Sequence, residues 1–147
     1  MNYIGKIEKE GGATLVSFPD APGCQTFGDT PEEARAMAKE AIEGWLETQL
    51  GVGRLPPRPK YAGPGMTVHL APELALKLEL RWARDEAGLT QTQLAKRVGV
   101  TQQRIAALEN PDAEVKLSTA ARVLEALGRS LDVTTRKTTK RRPANAA

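Results

Sequence analysis

Apolar and polar positions alternate twice within the first eighteen residues, and this period of two predicts strands over residues 3–9 and 13–18. Gly11-Gly12 lies between them as a hairpin signal. Pro19-Asp20-Ala21-Pro22-Gly23 then forms a turn cluster, since both prolines fix their backbone and the glycine permits a positive φ. A third strand is predicted over 24–28. At Thr30 the pattern changes. Thr30 stands at an N-cap, Pro31 at the first helical position and Glu33 closes a capping box, which predicts a helix to about residue 48. Ala34, Ala38, Ala41 and Trp45 make its apolar stripe, widened by Met37, Ile42 and Leu46. Three strands followed by a helix predict a small antiparallel sheet with one covered face.

Residues 51–65 contain four glycines and four prolines, a composition for a loop or linker rather than a helix or central strand. Residues 66–70 alternate again and read as a fourth strand returning to the first sheet. The unit boundary is therefore expected at Ala71-Pro72. Pro72 opens a helix to residue 87, with Leu74, Leu78 and Trp82 available for a core, Leu80 alongside, and Gly88 closing it.

Two short helical patterns follow, separated by Gly99. Thr90 and Gln93 form a capping box, and Leu89 and Leu94 a hydrophobic staple. Thr101 caps the second pattern, where Val100 and Ile105 repeat the staple. Such a pair is a helix-turn-helix. Asn110-Pro111-Asp112 ends the second helix. Ser118 is expected to cap a further helix to residue 127, with Leu124 and Leu127 inward and Gly128 closing it. Residues 130–135 read as a short strand, and 136–147 as a basic, disordered tail. No internal repeat is present.

The second helix of the pair opens with Gln102, Gln103 and Arg104. An amide side chain can donate to and accept from adenine together, and a guanidinium can reach guanine or phosphate. Gln91, in the first turn of the preceding helix, is placed for a phosphate. Lys96 and Arg97 suit either backbone contact or a solvated face, and Ala106 and Ala107 are small enough for close approach to a groove. One helix-turn-helix reads few base pairs, so a dimer on two half-sites is expected, with 118–127 and 130–135 as the available self-association elements.

Charge changes this picture in one respect. The chain of 147 residues carries a net +3, but residues 1–65 hold seven Lys/Arg against nine Asp/Glu. Residues 66–135 are neutral at nine against nine, and five cations (Arg136, Lys137, Lys140, Arg141, Arg142) lie in the last dozen positions. Basicity therefore favours nucleic acid through the tail and through local placement, not through the helical unit as a whole. The remaining composition, 40% hydrophobic and 27% charged, is that of a soluble globular chain. Neither a leader peptide nor a membrane span is expected, and a single cysteine fits a reducing cytoplasm.

Catalytic chemistry is sparse. His69, the one histidine, has no neighbouring acid in the sequence, and Cys24 has no local histidine partner. The first three strands offer only Glu8 and Asp29 toward a metal site, too few for a two-metal nuclease. One His and one Cys make no zinc set, and no phosphate-binding glycine loop is present. No enzyme, metal or cofactor is expected.

With these residues placed, the chain resembles a HicB-type antitoxin over nearly its whole length. VSFPDAPGCQTFGDTPEEARAMAKEAIEGWL is similar to the HicB strand, turn, strand and helix segment, and LTQTQLAKRVGVTQQRIAALEN to the helix-turn-helix of Xre and lambdoid repressors. The resemblance implies an α+β chain: a partial RNase H-like domain over 1–71 that binds a HicA-like toxin, then a DNA-binding domain over 72–135. That toxin is an mRNA-cleaving ribonuclease, and the implied role is to inhibit it and repress the shared operon. Matching positions make Gln91, Thr101, Gln102, Gln103 and Arg104 the DNA-binding candidates. Ala107 stands where related repressors often carry a polar base reader. No motif transfers the toxin-contact residues. The alternative function is a stand-alone repressor whose first domain senses a small ligand.

Overall fold

A computed structural model describes residues 1–138. The chain runs β1 (Asn2–Glu10), β2 (Ala13–Ser17), β3 (Gln25–Gly28), α1 (Pro31–Gly51), β4 (Met66–His69), α2 (Pro72–Glu86), α3 (Gln91–Val98), α4 (Gln102–Glu109) and α5 (Leu117–Ala126). Its α+β class is the expected one. The four strands form one antiparallel sheet in the order β3-β2-β1-β4, so the fourth strand does return to the first sheet, beside β1.

Helix α1 covers one face of that sheet. Thr30 Oγ1 accepts from Glu33 N at 3.1 Å, while Glu33 Oε2 accepts from Asp29 N at 3.2 Å. The helix starts hard against β3: a Cβ on Gly28 would overlap the backbone of Ala34. Its buried stripe is Ala34, Ala38, Ile42 and Leu46, a strict i, i+4 row, with Ala41 and Trp45 only half-buried at its flank. Met37, expected to widen the stripe, is 38% exposed, because it lies off that row. The helix also continues to Gly51, three residues beyond the expected end.

Helix α2 belongs to two cores at once. Leu74, Leu78 and Trp82 pack with Tyr3, Val16, Ile42 and Leu46, whereas Leu80 and Ala83 pack with Leu94, Ile105, Leu108 and Val123. The first set repeats every four residues, and Leu80 lies two residues from Leu78, about 200° around the helix, so the two sets occupy opposite faces. Leu80 therefore does not sit alongside the first set, as its sequence position suggested. It faces the other unit.

The glycine- and proline-rich connection after α1 has no regular structure, yet its side chains pin it to α2. Trp82 Nε1 donates to the Pro56 carbonyl at 2.7 Å, and the Arg58 guanidinium lies over the Trp82 ring at 4.7 Å. Arg58 also pairs with Glu79 at 3.0 Å and with Glu86 at 2.9 Å. Further along, Tyr61 N donates to Asp20 Oδ2 at 2.9 Å.

Two expectations toward the C-terminus are corrected. Helix α5 begins at Leu117 with Lys116 in the cap position and no side-chain cap bond, so Ser118 is already inside the helix. Residues 130–135 form no strand. On the edge strand β4 two carbonyls are already taken by α1: Arg35 donates to Thr67 O at 3.3 Å and Lys39 to His69 O at 2.8 Å. His69 itself is the last residue of β4. Of the tail cations, Arg136 and Lys137 are exposed and outside regular structure, while Lys140, Arg141 and Arg142 lie outside the described residues.

Candidate nucleic-acid interface

The two caps expected for the helix pair are formed. Thr90 Oγ1 accepts from Gln93 N at 3.1 Å, and Gln93 Oε1 accepts from Thr90 N at 2.9 Å. Gly99 ends α3 at φ 80°, the left-handed conformation that lets the chain turn at once toward α4. Thr101 Oγ1 then accepts from Arg104 N at 3.3 Å. Leu94, Ala95, Ile105 and Leu108 hold the pair together from inside.

The outer surface is polar. Thr101, Gln103 and Arg104 are exposed at the start of α4, and Lys96 and Arg97 at the end of α3, while Ala106 and Ala107 are half-buried. Gln102 and Gln91 are half-buried and joined, Gln102 Nε2 donating to Gln91 Oε1 at 2.7 Å. Gln91 Nε2 in turn donates to Glu109 Oε2 at 3.0 Å. Glu109 is buried and held by Arg84 Nε at 2.6 Å, and Arg84 Nη1 donates to the Leu89 carbonyl at 2.8 Å. Side-chain hydrogen bonds thus run Arg84–Glu109–Gln91–Gln102, from the wall between the units to the first turn of α4.

A charge at Glu109 could not be buried alone, and its arginine and amide partners offset part of that cost. The consequence for the surface is positional. Gln91 is committed to fixing the Gln102 amide, so Gln102 is presented in one orientation while Gln103 and Arg104 project freely. Sequence reading missed Arg84 and Glu109. Neither stands in a cap or a staple, and their pairing spans twenty-five residues.

The other candidate chemistry is dispersed. Cys24 is buried, and desolvation pushes its thiol up to about 11. His69 is displaced downward, first by desolvation and then by Arg136, the chain N-terminus, Lys39 and Arg35. Among the described residues no cluster of His, Cys, Asp and Glu could hold a metal ion. No helix among them is long and apolar enough to cross a membrane.

An αβ unit joined through a shared helix to a capped helix-turn-helix defines a DNA-binding class of protein with an additional unit. Residues 80–133 match the helix-turn-helix family, and residues 3–67 match the HicB-like antitoxin of bacterial toxin–antitoxin systems. Antitoxin HicB 2 of Photorhabdus laumondii subsp. laumondii is 31% identical over 90% of this chain and 95% of its own length. Antitoxin HicB 1 of the same organism is 33% identical over 89% of this chain and 84% of its own. Antitoxin HicB of Escherichia coli (strain K12) is 29% identical over 83% of this chain and 89% of its own. The chain belongs to the HicB antitoxin family. These relatives are antitoxins by name, not enzymes.

Proposed function

We propose that this protein inhibits a HicA-like, mRNA-cleaving ribonuclease and represses its own operon in the cytoplasm, without catalysing a reaction itself. Residues 1–71 bind the toxin and residues 72–135 bind operator DNA. The observation that carries this reading is full-length similarity to antitoxins combined with a helix-turn-helix whose first-turn side chains are presented outward.

Within it, Gln103 and Arg104 contact bases or phosphate directly, Gln102 reads a base in the orientation Gln91 imposes, and Thr101 sets the start of α4. The protein acts as a homodimer or higher homo-oligomer, since a single helix-turn-helix spans one half-site. Gln103→Ala is expected to weaken binding to a duplex from upstream of the gene by about 1–3 kcal/mol and to leave a random duplex nearly unaffected. Fluorescence anisotropy on both duplexes reads this. Equal weakening on both would reduce Gln103 to a phosphate anchor. For the first unit, co-purification from the native host should recover a small basic protein encoded beside this gene, and recovery of the chain alone would count against toxin binding.

A further inference from the structure

Between the end of α1 and the helix-turn-helix lies a cavity of about 400 Å³. Arg54 lines it from the first unit, and Arg81, Gln91, Ala106 and Asn110 line it from the second. The position of Arg54 is set by its backbone: Arg54 N donates to Gln49 O at 2.8 Å, folding the chain back on the last turn of α1. Its side chain is exposed and has no hydrogen bond or ion pair among the described residues. Arg81 is also left with donors to offer. It forms an ion pair with Glu109 Oε1 at 3.7 Å but no hydrogen bond, since Arg84 and Gln91 already donate to that carboxylate.

Two anions share the lining, Glu109 and Asp112. Glu109 is neutralised by Arg84 at 2.6 Å, and Asp112 is exposed to water. With Arg84 behind the lining, three arginines stand against two carboxylates, which leaves one net positive charge and unfilled guanidinium donors on Arg54 and Arg81, a combination that an oxyanion completes. The cavity also opens beside the reading surface, since Gln91 bonds directly to Gln102 and Ala106 lies one turn further along α4.

We infer that this cavity seats a backbone phosphate of the DNA that α4 reads, with Arg54 and Arg81 as its cationic donors. The first unit would then contribute to DNA binding through the end of α1, the helix whose other end abuts β3. The inference rests on the DNA-binding reading above.

The test uses the full chain carrying Arg54→Ala, titrated against a duplex from upstream of its gene and a random duplex of equal length over a range of salt concentrations. Losing one phosphate contact should flatten the slope of log K against log salt by about 0.9 on both duplexes. The preference between duplexes should not change, and Arg54→Lys should keep the wild-type slope. An unchanged slope with Arg54→Ala overturns the inference. If wild type binds neither duplex, the DNA-binding reading falls and this inference falls with it. If wild type prefers the upstream duplex, Gln103→Ala erases that preference and the Arg54→Ala slope stays put, only the inference falls. Inorganic phosphate, titrated by calorimetry, separates the two sources of the anion. Binding lost in Arg54→Ala alongside an unchanged DNA slope marks a free-anion site and likewise overturns it.

Discussion

At the scale of residues, the pairing of Arg84 with Glu109 has the greatest consequence for the molecule. Both side chains are buried, so removing Arg84 leaves the Glu109 carboxylate with only the Gln91 amide and the more distant Arg81, at 3.7 Å, in place of its close partner. Arg84→Ala is expected to cost about 3–5 kcal/mol in denaturant unfolding. Replacing both residues together, as Arg84→Met with Glu109→Leu, should recover most of that loss, because the desolvation penalty disappears along with the pair. A double variant no more stable than Arg84→Ala would show that the pair is not the source of the loss. His69 supplies a dependence on pH. Its folded pKa lies below the usual value because desolvation and nearby cations disfavour the imidazolium. Between that lowered pKa and about 6.5, the unfolded chain binds the proton more readily. Stability contributed by the neutral form is therefore present above about 6.5 and is lost on acidification through that window. His69→Gln should flatten this limb of a midpoint-against-pH curve, and an unaltered limb would assign it to other groups.

Elements differ in how far the sequence exposes them, and the reason is the range of the interactions that define each. The caps of α1, α3 and α4 were legible because a cap is made by residues three apart, as with Thr90 and Gln93 or Thr101 and Arg104. The start of α5 was misplaced because its first turn closes on the backbone, Ala120 N donating to Lys116 O at 3.0 Å, without the hydroxyl of Ser118. The expected strand at 130–135 failed for lack of a partner, which local alternation cannot report: Val133 is 76% exposed and the Thr67 and His69 carbonyls of β4 are taken by α1 side chains. Composition likewise told that the connection after α1 is irregular, but not that Trp82 and Arg58 pin it. Turn chemistry at Gly99 yields a direct test. A β-branched residue there meets the left-handed backbone penalty, so Gly99→Val should cost about 1–2 kcal/mol and loosen α3 against α4 in thermal unfolding.

In the whole molecule, α2 is the wall that both cores share, and the side-chain chain from Arg84 to Gln102 starts on it. The candidate site was legible in part: the outward residues of α4 follow from its first-turn sequence, whereas the support behind Gln102 comes from residues on three different helices. Because α2 serves both units, Leu78→Ala, a fully buried truncation costing about 2–5 kcal/mol, should reduce hydrogen-exchange protection in β2 and in α4 together. Loss confined to β2 would mean that the units open independently. The proposed division of labour places toxin binding on one side of this wall and DNA on the other. Its central claim is inhibition, and one titration tests it most directly: RNA cleavage by the small basic protein encoded beside this gene, measured as the full chain is added. Cleavage should fall to background as the chain approaches stoichiometric amounts. Cleavage that persists unchanged with the chain in excess would contradict the account.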